Sequence, residues 1–311
     1  MFERVESPIT AKNLAAINAN IGRVQFGKVL TERDHLKLAE RLRQFPQVCL
    51  RAYETSTNPA RDLDFLRYYP GLKRLDVGLR GLQSIEGIKH VAGSLEGFYF
   101  DSTEKKFSLE FLADLRKLKT LALEGHSAGI EAVSTLENME DLTFRSITLP
   151  GLELLTPLKK LWSLDIKLGG TKNLAALSRL KSLKYLELWQ VRGLSDISVI
   201  SELTSLQHLF LESLKNVKAF PSFRRLKQLR RVKIQNMKGI SDLAPLLEAK
   251  HLEDFVVRLA RHLTPESFLP LVKHPSLKAI GFGLGSTKKN QAVAAMFPHL
   301  QDTVSYPFIY Q

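Results

Sequence analysis

With 311 residues, 44% of them hydrophobic and 25% charged, the chain can bury one or two cores, and its mean hydropathy of −0.10 is that of an ordinary soluble protein. No apolar run approaches the ~20 residues of a membrane span, and a lone cysteine, Cys49, excludes an intrachain disulfide and a multi-cysteine metal site. The net charge of +13 raises nucleic acid or an acidic membrane surface as partners, against the plainer reading of a solvated basic exterior.

The chain opens MFERVESPITAKN, which lacks a basic segment followed by an apolar run, so no secretory signal is expected. Together with the lone cysteine this predicts a reducing compartment, most simply the cytoplasm. Arg23 to Leu30 reads as a short strand with Val24, Phe26 and Val29 turned inward. Thr31 is placed as a helix N-cap, with Glu32, Arg33 and Asp34 in the first turn. Leu36, Leu38, Leu42 and Phe45 give that helix an apolar side, and Pro46 stops it. Residues 1–44 are therefore expected to form an N-terminal cap over an exposed core.

A periodic region follows. Leu183, Leu186 and Leu188 spell L-x-x-L-x-L, and Leu206, Leu209 and Leu211 repeat it. Between them Leu194, Ile197, Ile200 and Leu203 return an apolar residue at every third position. Alternation with period two reads as a strand, and the return at period three as a 3₁₀ or helical turn. One such unit cannot bury its own apolar face and must stack on copies of itself. Further copies begin at Phe45, Leu72, Leu95, Leu118, Met139, Leu161, Leu229, Leu252 and Leu277, which gives eleven strands over residues 45–284.

The spacing and the two segments Gly193-Leu194-Ser195-Asp196-Ile197 and Gly239-Ile240-Ser241-Asp242-Leu243 carry a resemblance. The chain resembles the leucine-rich repeat proteins, in the short class of 22 to 23 residues similar to internalins and to regulatory phosphatase subunits. In those segments glycine relaxes the backbone at a corner, and Ser or Asp can cap the short turn that follows. The resemblance implies an α/β solenoid: a leucine-rich repeat arc or horseshoe with a parallel concave sheet and 3₁₀ or irregular turns on the convex side. The family's ninth-position Asn or Cys ladder is replaced by Arg80, Thr103, His126, Ile147, Gly169, Val191, Leu214, Met237, Ala260 and Gly285. Apolar packing is expected to stabilise the bend in its place. The internalin secretion signal and wall anchor are not seen, so an adhesion role is not carried over. Residues 285–311 leave the pattern: QAVAAM reads as a helix ended by Pro298, and YPFIYQ closes a C-terminal cap.

In such a stack the third, fifth and seventh positions of each strand face outward. Those columns hold eight acidic and seven basic residues, so the excess positive charge lies elsewhere. Much of it falls just before and at the start of the strands, where the second position is Lys73, Lys119, Lys184, Arg230 or Lys278. This flank is read as a solvated edge whose stems cover the core, with phosphate binding as the alternative. Without interleaved aromatic residues the case for nucleic acid is the lesser one.

The outward columns concentrate Tyr99, Tyr185, Trp189 and Phe210 beside Asp101, Asp165, Glu187, Glu212 and His208. Exposed aromatic residues ringed by carboxylates are what a protein-binding hot spot offers, and they predict a partner presenting basic and apolar groups. The plainer reading is that the rings pack among themselves. Asp165 and Glu187 fall on adjacent strands, but an open sheet is expected to offer no pocket that raises one pKa.

No histidine spacing suits a metal, Cys49 is expected to be inert, and Gly283 to Lys289 only faintly resembles a phosphate cradle. No enzyme and no cofactor are expected. The function that follows is protein recognition on the concave face by a stand-alone binder, with a bacterial cytoplasmic inhibitor or immunity-type protein as one specific form. The rivals are a nucleic-acid-associated protein and a repeat-fold enzyme or ubiquitin-ligase-like effector.

Overall fold

The computed structural model describes residues 1–54, 58–302 and 308–311. Packing divides the chain into two compact units, residues 1–143 and 144–311.

The first unit contains β1 (Phe2–Arg4), β2 (Arg23–Phe26), β3 (Cys49–Tyr53), β4 (Arg74–Gly78), β5 (Gly97–Phe100) and β6 (Thr120–Glu124). Each pairs in parallel with the next, in chain order. The division between the units falls within β7 (Asp141–Arg145). The second unit contains β8 (Ser163–Lys167), β9 (Tyr185–Trp189), β10 (His208–Glu212), β11 (Arg231–Gln235), β12 (Asp254–Arg258) and β13 (Ala279–Phe282), again parallel and in chain order.

All eleven expected strands are present, β3 to β13, and the segment read as a cap contributes two more. Helix α1 (Ala11–Ala16) sits between β1 and β2, and α2 (Glu32–Gln44) follows β2. Thr31 caps α2 as expected: its hydroxyl accepts from the Asp34 amide at 3.3 Å. Leu38 and Leu42 are buried, but Leu36 is 52% exposed and Val29 50%, so neither faces the core as the sequence suggested. The α-helical period places Leu36 half a turn away from the Leu38–Leu42 stripe. The strand after α2 also begins later than a start at Phe45 requires: it occupies Cys49–Tyr53, in register with Arg23–Phe26.

The period-two and period-three signals have separate physical origins. Along the strands, Leu164, Leu186, Leu209 and Val232 stand opposite one another on successive strands and are fully buried. Stacking a leucine in such a column removes it from water on all sides, worth about 1.5–3 kcal/mol each. On the return side the chain forms 3₁₀ turns, as at Ala175–Arg179 and Ser198–Glu202. There the amides of Ile200, Leu203 and Leu206 donate to Ile197, Ile200 and Leu203. With three residues per turn, side chains three apart eclipse, so Leu194, Ile197, Ile200 and Leu203 all point inward and are buried. The side chains of Asp196 and Asp242 accept from the Ser198 and Ala244 amides, both at 2.8 Å, and start these turns as expected.

The two repeated glycines do different jobs. Gly193 has a left-handed φ of +77°, whereas a Cβ at Gly239 would stand 2.1 Å from the Val217 carbonyl oxygen. At the ninth position the ladder is apolar from Ile147 onward except for glycine, and Val191, Leu214, Met237 and Ala260 are buried. In the first unit it keeps a polar piece: buried His126 stacks on Phe100 at 4.2 Å and reaches the Asp101 carbonyl at 3.3 Å. Helix α3 (Thr287–Met296) covers the end of the second unit, followed by a bridge from Gln301 to Ala279. Tyr306 and Pro307, the start of the aromatic closing segment, lie outside the described residues.

Candidate functional site

The residues singled out from the sequence fall on both units. Tyr99 and Asp101 belong to the first. Tyr99 is half-buried in a shallow groove with Met1, Phe2, Arg23, Cys49 and Arg74. Asp101 pairs with Arg51 at 3.5 Å. Beside them Asp76, buried, takes Arg23 at 3.0 Å and Arg51 at 3.3 Å. Burial pushes the Asp76 carboxyl up to about 6, against the pull of the two guanidinium groups. Cys49 lies under this network with its thiol pushed up to about 12, by burial first and the Asp76 charge second.

The remaining seven residues come together on β8, β9 and β10 of the second unit. Register sets Asp165 opposite Glu187 and Glu187 opposite Phe210, with Trp189 opposite Glu212. The Tyr185 hydroxyl donates to Glu187 at 2.7 Å, and Lys167 reaches Glu187 at 3.1 Å and Asp165 at 3.4 Å. Gln235 donates to Glu212 at 2.8 Å, and the Arg145 guanidinium stands 5.6 Å from the Trp189 ring.

Two expectations need correction here. An open sheet was expected to leave both carboxylates ordinary, yet burial and hydrogen bonding with Glu187 raise Asp165 well above the usual range. For Glu187, burial is outweighed by hydrogen bonds from Asp165 and Tyr185, and its pKa falls. Side chains supply the enclosure that the sheet itself lacks. Asp165 therefore keeps its proton to higher pH than a separate carboxylate would, while Glu187 gives its own up more readily. Secondly, Glu187 and His208 are buried, whereas Tyr185, Trp189 and Phe210 are half-buried. Strand parity indicates only which face a side chain leaves from, and here neighbouring groups cover two of them.

For His208 that cover is the C-terminal segment. Phe308 and Tyr310 lie 5.4 and 6.5 Å from its ring, and the Tyr310 hydroxyl is hydrogen-bonded to His208 Nδ1 at 3.2 Å. Tyr310 also packs on Trp162 at 5.2 Å and Tyr185 at 6.4 Å. Burial, then the charges of Lys233 and Arg231, lower His208 to about 3, so its imidazole is neutral at physiological pH. Sequence reasoning missed this contact because the partners are about a hundred positions apart, and the closing aromatic residues looked like a cap.

The basic flank is engaged along its length. Lys73 and Lys119 both pair with Glu96, at 2.8 and 3.1 Å, and Lys278 pairs with Glu253 at 2.8 Å. Lys184 donates to the Gln311 carbonyl at 2.6 Å, and Arg230 donates to the Ile309 carbonyl. In the Gly283–Lys289 turn, Ser286 caps α3 and Lys289 Nζ donates to the Arg261 and Leu263 carbonyls at 3.0 and 2.9 Å. Among the described residues no group of three or more His, Cys, Asp or Glu side chains is arranged to hold a metal ion.

Parallel strands in chain order, apolar columns at fixed register and 3₁₀ returns decide the fold. The fold is that of the leucine-rich repeat proteins. The family model described as R13L1/DRL21 LRRs matches residues 169–237. Among solved structures, the repeat chain is similar to an internalin, InlF, from Listeria monocytogenes, at 15% identity and a TM-score of 0.53. That match covers 85% of this chain and 81% of the other. A second Listeria monocytogenes internalin, InlC2, matches at 20% identity and a TM-score of 0.49, covering 71% of this chain and 92% of that one. No curated protein sequence matches. Leucine-rich repeats are a typical scaffold for protein–protein interaction, and no helix among the described residues is long and apolar enough to cross a membrane.

Proposed function

We propose that this leucine-rich repeat chain binds a partner protein, without catalysis, through the open sheet face of its second unit. The observation that carries the reading is the pair Trp189 and Phe210, half-buried and outward on adjacent strands, in a patch whose carboxylates are largely balanced by Lys167, Tyr185 and Gln235. Large aromatic residues held by neighbours and bordered by neutralised polar groups lose little entropy on binding, the pattern of a hot spot. The partner presents apolar surface to Trp189 and Phe210 and a basic group to Glu212, whose carboxyl is raised by burial. In the finer form of this reading the chain acts as a cytoplasmic inhibitor of bacterial immunity type, for which occupying the partner is the activity.

The test is a pull-down from the source cell's lysate, with and without nuclease, comparing wild type with Trp189→Ala/Phe210→Ala. A protein recovered by wild type, lost in the double variant and indifferent to nuclease supports the reading. Recovery that survives the substitutions and vanishes with nuclease would move function to the basic flank, although the ion pairs there speak for a structural role.

A further inference from the structure

A flank column runs through the second position of each repeat, one residue before the strand in most of them. Where it carries alternating charge it neutralises itself, as in Lys73–Glu96–Lys119 and Glu253–Lys278. Beyond Glu140 the column reads Trp162, Lys184, Gln207 and Arg230, with no acidic member before Glu253. Residues 308–311 lie along that stretch. The Gln207 side chain treats the segment as a neighbouring strand: Nε2 donates to the Gln311 carbonyl at 2.8 Å, and Oε1 accepts from the Gln311 amide at 2.9 Å. Lys184 and Arg230 donate to the carbonyls of Gln311 and Ile309. Side chains alternate as in an extended chain: Phe308 and Tyr310 face the sheet, half-buried, and Ile309 is 74% exposed. Phe308 sits beneath the guanidinium groups of Arg230 and Arg231, at 5.0 and 4.6 Å from the ring centre.

This segment is placed poorly for a cap. The end of the unit is already closed by α3 and the Gln301 bridge to β13. The segment lies instead beside β9, β10 and β11, whose inward residues Leu186, Leu209 and Val232 are buried by the columns on either side. It does supply what a recognised peptide supplies, namely backbone groups for fixed donors and two rings for aromatic and cationic sockets.

We propose that Trp162, Lys184, Tyr185, Gln207, His208 and Arg230 form a docking site for an extended partner segment carrying two aromatic side chains two residues apart, and that residues 308–311 occupy it until such a segment displaces them. The inference rests on the reading of the second unit's open face as the binding surface, with which it is continuous through Tyr185, whose hydroxyl holds Glu187 while its ring meets Tyr310. A tethered competitor acts at an effective concentration near the millimolar range, so an incoming segment binds wild type far more weakly than a chain whose own segment is disabled.

The experiment uses the full chain and a fluorescein-labelled peptide with the sequence of residues 302–311, followed by anisotropy. Phe308→Ala/Tyr310→Ala is expected to bind the peptide at least about tenfold more tightly than wild type, since the tethered competitor is removed. Adding Lys184→Ala and Arg230→Ala to that background should reverse the gain. Tyr310→Phe retains every ring and removes only the hydroxyl on His208, so it should fall between, and it serves if the double variant does not fold. Equal affinity for wild type and both tail variants, or no uptake by either variant at about 1 mM peptide, overturns the proposal. Were that result to accompany loss of the partner in Trp189→Ala/Phe210→Ala, the docking site alone would fall and the face would stand.

Discussion

The two units use one repeat to build faces that differ in how they settle their charges. In the first, Asp76 lies between Arg23 and Arg51, and Glu96 between Lys73 and Lys119, so every cation named has a carboxylate within 3.3 Å. In the second, Lys278 pairs with Glu253 and Arg231 with Asp254 in the same manner, but Lys184 and Arg230 bond the backbone of residues 311 and 309, and Asp165 and Glu187 gather about Lys167. The scaffold fixes where a side chain leaves the sheet. What it meets there is set locally, and the second unit leaves Trp189 and Phe210 half-buried at its surface near the donors of Lys184, Gln207 and Arg230.

If this difference belongs to the surface, matched core substitutions should not detect it. Leu121→Ala in the first unit and Leu209→Ala in the second each remove a leucine from a buried column, and each should cost about 2–5 kcal/mol in urea unfolding. A loss confined to one of them would show that the units differ inside as well. A step smaller, Asp76→Ala strands Arg23 and leaves Arg51 with Asp101 alone, and should cost about 3 kcal/mol, the low end for breaking a buried pair because both guanidinium groups keep some water. Glu96→Ala removes a partly exposed carboxylate from the neighbouring column and should cost under about 1 kcal/mol. Comparable costs for the two would erase the distinction between the buried network and its rim.

The smallest effect concerns the corner after each strand. From Gly125 to Leu259 the eighth position of each repeat is left-handed, and in the second unit it is held by Ser146, Leu168, Gln190, Ser213, Asn236 and Leu259. Leu259 has φ of +52° and is 62% exposed, so it gains little from its side chain while bearing the left-handed cost. Leu259→Gly should raise stability by roughly 0.5–1 kcal/mol in thermal or urea melts. A loss would show that the leucine packs usefully there.

That corner also marks the limit of what the sequence revealed. The columns of Leu164, Leu186 and Leu209, and the returns through Ile197 and Ile200, were legible because burial repeats with the period of the backbone that causes it. The left-handed eighth position was hidden, because a glycine would have announced it and this chain places leucine, glutamine or serine there. β1 was hidden by its three-residue length, too short for any period. In the candidate site, strand register brought Asp165, Glu187, Phe210 and Trp189 together as read. Burial of Glu187 and His208 was not legible, since it depends on a tyrosine ring, a lysine and a segment distant in the chain.

Cys49 is the chain's lone thiol, buried at the base of the groove that Arg23, Arg74 and Tyr99 line, with its pKa pushed up to about 12. An alkylating reagent must wait for those side chains to move aside before a thiolate can form and react. The protein thus carries its own clock for breathing of the first unit: the rate at which the thiol is consumed counts openings of that groove, with no label to be introduced and no second sulfhydryl to confuse the reading.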